Sequence, residues 1–197
     1  MPQAIETDRK LRPAGGTIAV VTVATLIGIF SFLTWDLRFA LIAIGLGWTM
    51  IAIAWVDAHQ FRIPDVLSFP ATAIGLLWTT PWLDAEMFID HAASAVLASG
   101  GLWLVRAVYG SLRGREGLGL GDVKLAATAG AWTGTAGIAP VLLLASLTAL
   151  IVTVVLAKTG FKTYTSTTKV PFGTFLAPAI WVIFAVEHLP VAMTLLF

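Results

Sequence analysis

The chain has 197 residues, 58% hydrophobic and 12% charged, with a net charge of +1 and no cysteine. A soluble domain carries about 25% charged residues, so this is the composition of a membrane protein. The missing cysteines exclude disulfides, thiol nucleophiles and zinc knuckles within this sequence; the net charge argues neither for nor against a nucleic-acid partner, and none is expected.

Apolar runs of about 17 to 25 residues predict helices at 17–35, 38–56, 66–83, 89–109, 122–139, 138–157 and 172–186. The expected fold is all-α: one integral-membrane domain over 1–197, six to seven transmembrane helices, and a short cytoplasmic segment at 1–16. Arg9, Lys10 and Arg12 precede the first run as in a signal peptide. No small-x-small cleavage site follows its end at FLTWDLRF, so it reads as an anchor.

The second span closes in WVDAHQFRIPD, with Asp57 near its end and Asp65, after Pro64, placed as the N-cap of the third. The stretch KLAATAGAWTGTAGIAP is short and built from Ala, Gly and Thr, which suits a span packed among other helices, with Gly134, Gly137 and Pro140 forming the turn after it. The loop 158–170 is polar and basic, a connector at an anionic lipid surface. PFGTF then enters the last span, with Pro171 at the helix start and Gly173 allowing close packing. It either lines a site or is a plain turn. Glu187 and His188 interrupt the final apolar run, which is either one long helix or a helix with an interfacial tail.

Orientation follows from the basic residues. With the N-terminus cytoplasmic, 11 of the 12 Lys and Arg fall on the inner side, leaving only Arg38 outside, while Asp36, Asp84, Glu86, Asp90 and Glu187 face outward. Dropping one span would scatter the positive charges over both faces. The bias therefore predicts an odd number of spans.

On that topology Asp57 and Asp122 lie at the same inner membrane boundary. Two carboxyl groups held close share one proton, so one can activate water while the other donates to a scissile carbonyl. Such a pair hydrolyses peptides without a metal, a cofactor or a serine triad. Gly117, Gly119 and Gly121 in GLGLGD would permit positive φ and close backbone approach beside Asp122. Simpler roles stand beside these: Asp122 caps the fifth span and Lys124 snorkels to the interface. Asp57 is harder to assign to structure, because an anion at a helix C-terminus is disfavoured by the dipole. His59 and His91 are not spaced as metal ligands, no metal site is expected, and the glycine run lacks the G-K-[ST] of a nucleotide loop.

The elements DAHQFRIPD at 57–65, GLGDVKL at 119–125 and PFGTFLA at 171–177 resemble those of the type IV prepilin peptidases, GxGD-type aspartic proteases of bacterial inner membranes. The resemblance runs from about residue 40 to 180. It implies that Asp57 and Asp122 are the catalytic pair, with Gly119, Gly121, Lys124, Asp65, Pro171 and Gly173 as substrate or loop support. The implied partners are prepilin or pseudopilin precursors, cut after a short basic leader at the cytoplasmic boundary, together with membrane lipid. Larger members add an N-terminal region with paired C-x-x-C motifs and also methylate the new amino terminus. This sequence resembles the compact members instead, and methyl transfer is not expected of it. The alternatives are an ion- or proton-coupled transporter using intramembrane carboxylates, a non-catalytic assembly subunit, and a presenilin-like protease of ordinary transmembrane helices.

Overall fold

The computed structural model describes residues 3–79, 85–114, 117–159 and 170–189, with side chains from Gly16 onward. Six helices follow in order: α1 (Gln3–Thr34), α2 (Leu37–Gln60), α3 (Asp65–Thr79), α4 (Ala85–Arg113), α5 (Leu120–Lys158) and α6 (Gly173–Glu187). No strand occurs among the described residues. Four of the helices are long and apolar enough to cross a membrane, while α3 and α6 are shorter apolar helices. The protein is therefore an all-α, polytopic membrane protein. Most of the basic loop at 158–170, the tail beyond Leu189, Asp84 and Arg115 lie outside the described residues, as do the side chains of Arg9, Lys10 and Arg12.

The surface and the interior divide as a bilayer requires. Large apolar side chains face outward on every long helix, among them Leu33, Leu41, Val96, Leu97 and Leu150. Inside, Met50 and Ile53 of α2 meet Leu125, Ala129 and Trp132 of α5 and Leu176, Ile180 and Phe184 of α6 in one cluster. Four indole N–H groups tie elements together through backbone carbonyls: Trp132 to Ala71 (2.8 Å), Trp181 to Ala43 (2.9 Å), Trp48 to Ala24 (3.1 Å) and Trp35 to His188 (2.7 Å). In a dry interior such donors are costly unless paired.

The small-residue stretch of α5 is buried, as its composition predicts. Ala126, Thr128, Ala129, Gly130 and Ala131 are all inaccessible, and a Cβ on Gly130 would run into the backbone of Ser94 and Ala95 on α4. The two helices thus touch backbone to backbone, the packing that small residues allow in membranes.

A continuous helix of the 39 residues assigned to α5 would be about 58 Å long, roughly twice a hydrocarbon core. It is not continuous. Gly134, at φ 58° and ψ −167°, breaks it into 120–133 and 135–158. The expected turn of three residues is in fact this one glycine, and Gly137 and Pro140 continue in the second segment. Two neighbours on α4 satisfy the broken ends. The Asp90 carboxylate accepts the Thr135 N–H (3.0 Å) and Oγ1–H (2.6 Å), and His91 Nδ1 pairs with the Ala131 carbonyl at 3.0 Å. Asp90, expected as an outer-loop charge, instead caps a helix on a different element.

Candidate active site

Asp57 sits in the last turn of α2, and the chain leaves that helix sharply. Phe61 adopts a left-handed conformation (φ 52°), and its N–H donates to the Asp57 carbonyl at 2.9 Å. Ile63 precedes Pro64, which disfavours helix there, and the Pro64 carbonyl accepts the N–H groups of Leu67 and Ser68 as α3 begins. The tight linker leads Asp57, Ile63 and Asp65 to one cavity.

The opposite wall is the start of α5. Arg106 of α4 donates to the Leu118 carbonyl at 2.6 Å and so anchors the glycine-rich loop. The glycines here serve proximity and not unusual torsions: among the described glycines only Gly114 and Gly134 have positive φ, and Gly119 lies at −72°. A Cβ on Gly117 would meet the Tyr109 ring, one on Gly121 would stand 3.0 Å from Ile63, and one on Gly119 would stand 3.1 Å from Asp122 Oδ2. The expectation of positive φ at these three positions is corrected accordingly.

Between the two walls lies a cavity of about 290 Å³, lined by Asp57, Phe61, Arg62, Ile63 and Asp65 on one side and by Gly119, Leu120, Gly121, Asp122 and Lys124 on the other. The two acids, 65 positions apart in sequence, are 5% and 8% exposed and interact electrostatically across it.

Each acid has protein donors. Asp122 Oδ2 accepts the Gly119 N–H at 3.2 Å, so this residue does help to cap α5 while also lining the cavity. Asp57 Oδ2 accepts two bonds from Thr174, the N–H at 2.7 Å and the hydroxyl at 3.1 Å. Gly173 packs between them: a Cβ there would stand 3.0 Å from Asp57 Oδ2, and its amide approaches Asp122. The first turn of α6 therefore presents the positive end of its dipole to both acids. For Asp57 this offsets the unfavourable end of its own helix.

The remaining expected residues divide. Lys124 and Asp65 form an ion pair of 2.7 Å at the rim, half-exposed on both sides, with Lys124 also over the Phe69 ring at 5.3 Å. Asp65 is the first residue of α3 rather than its N-cap, and Lys124 does not simply snorkel. Pro171 lies outside α6, whose N-cap is Phe172, and it is not among the residues lining the cavity. Thr174, Ile63, Phe61 and Arg62 were not singled out from sequence. Thr174 follows directly on PFG, and a hydroxyl at a helix start was the available signal. Among the described residues no group of acids and histidines could hold a metal ion.

Comparison with known proteins points to one family. A family model, type IV leader peptidase family, matches residues 44–154, which is 111 of the 197 residues and includes both acids. The chain is 34% identical over 145 residues to the prepilin leader peptidase/N-methyltransferase of Xanthomonas campestris pv. campestris, covering 72% of this chain and 48% of that protein. It is 35% identical over 137 residues to the protein of the same name from Pseudomonas aeruginosa, covering 70% and 46%. To that of Neisseria gonorrhoeae it is 29% identical over 161 residues, covering 79% and 53%. The chain thus spans about half the length of the curated relatives it matches. No solved structure matches it. With its family-model match extending over more than half its length, the chain belongs to the type IV leader peptidase family.

Proposed function

We propose that the protein is a membrane-embedded aspartic endopeptidase that removes the short basic leader of prepilin-like precursors, with Asp57 and Asp122 as the catalytic pair. The observation that carries this reading is the cavity itself: two nearly inaccessible carboxyl groups from remote parts of the chain line one opening at a helix boundary. With one proton between them, one acid draws a proton from water as its oxygen bonds to the scissile carbonyl carbon. The other protonates the carbonyl oxygen. When the C–N bond breaks, a proton passes to the leaving nitrogen, releasing a carboxylic acid and an amine.

Gly119, Gly121 and Gly173 support this chemistry by letting backbone and carboxylate approach closely, and Lys124 and Asp65 shape the rim where an extended peptide enters. The 11-to-1 distribution of basic residues supports a bacterial inner-membrane location with the cavity facing the cytoplasm. Both acids sit at one end of the helices, which favours peptide cleavage at a boundary over ion transport through the membrane.

Co-expression with a leader-bearing precursor, followed by intact-mass measurement, tests the reading. Loss of a leader at one bond, only when this protein is present, is expected, and the same spectrum reports any methyl group on the new amino terminus. An unchanged precursor would contradict the proposal.

A further inference from the structure

The two acids are held differently. Asp57 Oδ2 accepts two donors from Thr174, the N–H at 2.7 Å and the hydroxyl at 3.1 Å, whereas Asp122 is approached only by backbone amides, with the Gly119 N–H on its Oδ2 at 3.2 Å and the Gly173 N–H nearby. The Thr174 hydroxyl has a second acceptor within reach, the Ala54 carbonyl, but at the longer 3.4 Å. Donors stabilise a carboxyl group more strongly in its charged than in its protonated form, and shorter charge-assisted bonds do so most. No described hydrogen bond engages Asp57 Oδ1.

We propose that Thr174 is a positioning residue that holds Asp57 as the ionised member of the pair, and that Asp122 carries the proton. This rests on the peptidase reading above and divides its labour. Asp57 takes one proton from water while the water oxygen bonds to the carbonyl carbon, and Asp122 gives its proton to the carbonyl oxygen. As the C–N bond breaks, Asp57 passes its proton to the leaving nitrogen and the gem-diol returns one to Asp122. Both acids end as they began.

The charged groups facing Asp57 among the described residues are Asp122 and Lys124 of α5, Asp65 of α3 and Arg62 of the linker, all lining the same cavity. The described start of α6 adds no titratable side chain, only Thr174 and backbone amides. The Thr174 hydroxyl is thus the one described donor to Asp57 that has no counterpart at Asp122.

The test is the pH dependence of kcat/KM for precursor cleavage by the full chain. Thr174→Val keeps the shape and removes the hydroxyl donor. At low pH it is expected to lose about tenfold or more in kcat, the value of a hydrogen bond to a charged group, with KM little changed. The acid limb of its profile should lie about one unit higher than in wild type, and the deficit should shrink as pH rises. Thr174→Ser should restore the wild-type profile, and Thr174→Ala, which introduces no new bulk, should behave as Val does. A Val or Ala profile superimposed on wild type, or a Ser variant no better than Val, overturns the inference. Either outcome, with Asp57→Asn inactive, leaves the peptidase reading standing, whereas a fully active Asp57→Asn would remove that reading itself.

Discussion

Gly173 stands against Asp57 with no room for a methyl group: a Cβ there would lie 3.0 Å from the carboxylate Oδ2 and 2.7 Å from Ile63 Cδ1. The first turn of α6 can donate to Asp57 from Thr174 only because the preceding residue lacks a side chain. Gly173→Ala should therefore displace the carboxylate while gaining helix propensity, leaving net stability changed by about 1–2 kcal/mol. Cleavage is expected to fall about a hundredfold, since misplacement by about 1 Å costs that much. Comparing kcat/KM with the midpoint of thermal unfolding in detergent separates the two effects. Near-normal cleavage would show that this contact does not position the acid.

The Lys124–Asp65 pair spans the cavity rim with side chains 37% and 49% exposed. Exposed pairs of this kind contribute about 0–1 kcal/mol, so Asp65→Asn and Lys124→Met should each change unfolding stability by no more than that. Both should slow cleavage far less than loss of either buried acid. Steady-state kinetics on the two variants check this. Complete inactivation of Asp65→Asn would move Asp65 from the rim into the chemistry.

Gly134 holds the break in α5 at φ 58° and ψ −167°, a region essentially closed to other residues, and a Cβ there would stand 3.1 Å from His91 Nε2. Gly134→Ala should cost about 1–3 kcal/mol from backbone strain alone. Asp90 and His91, which cap the broken ends, would be pushed aside. Because this break lies at the end of its segment away from Asp122, the folded fraction should retain wild-type kcat. Unfolding in detergent, paired with activity per folded molecule, reads both.

Much of this was legible in the sequence because hydrocarbon punishes misplaced charge. Apolar run lengths located the helices, and Asp57 and Asp122 stood out as carboxylates at their boundaries. The burial of most of 125–133 followed from its small residues. What escaped were relationships across the chain. Thr174, 117 residues from Asp57, looks locally like any hydroxyl at a helix start. Asp90 and His91 serve a break 45 and 40 residues away from them, at Thr135 and Ala131, which no local pattern announces. The glycines of GLGLGD were expected to supply both unusual torsions and close approach; the close approach is found without the torsions, and its partners Tyr109 and Ile63 come from other elements, so the sequence could not name them.

The central claim is that Asp57 and Asp122 act as a pair on a peptide bond. Its most direct test measures cleavage of one leader-bearing precursor by equal folded amounts of wild type, Asp57→Asn and Asp122→Asn, with products weighed by mass spectrometry. Wild type should release the leader at a single bond, and each asparagine variant should be slower by about 10²–10⁴, the contribution of general acid–base catalysis, with folding unimpaired. Release of the same leader by either variant at the wild-type rate would contradict the account.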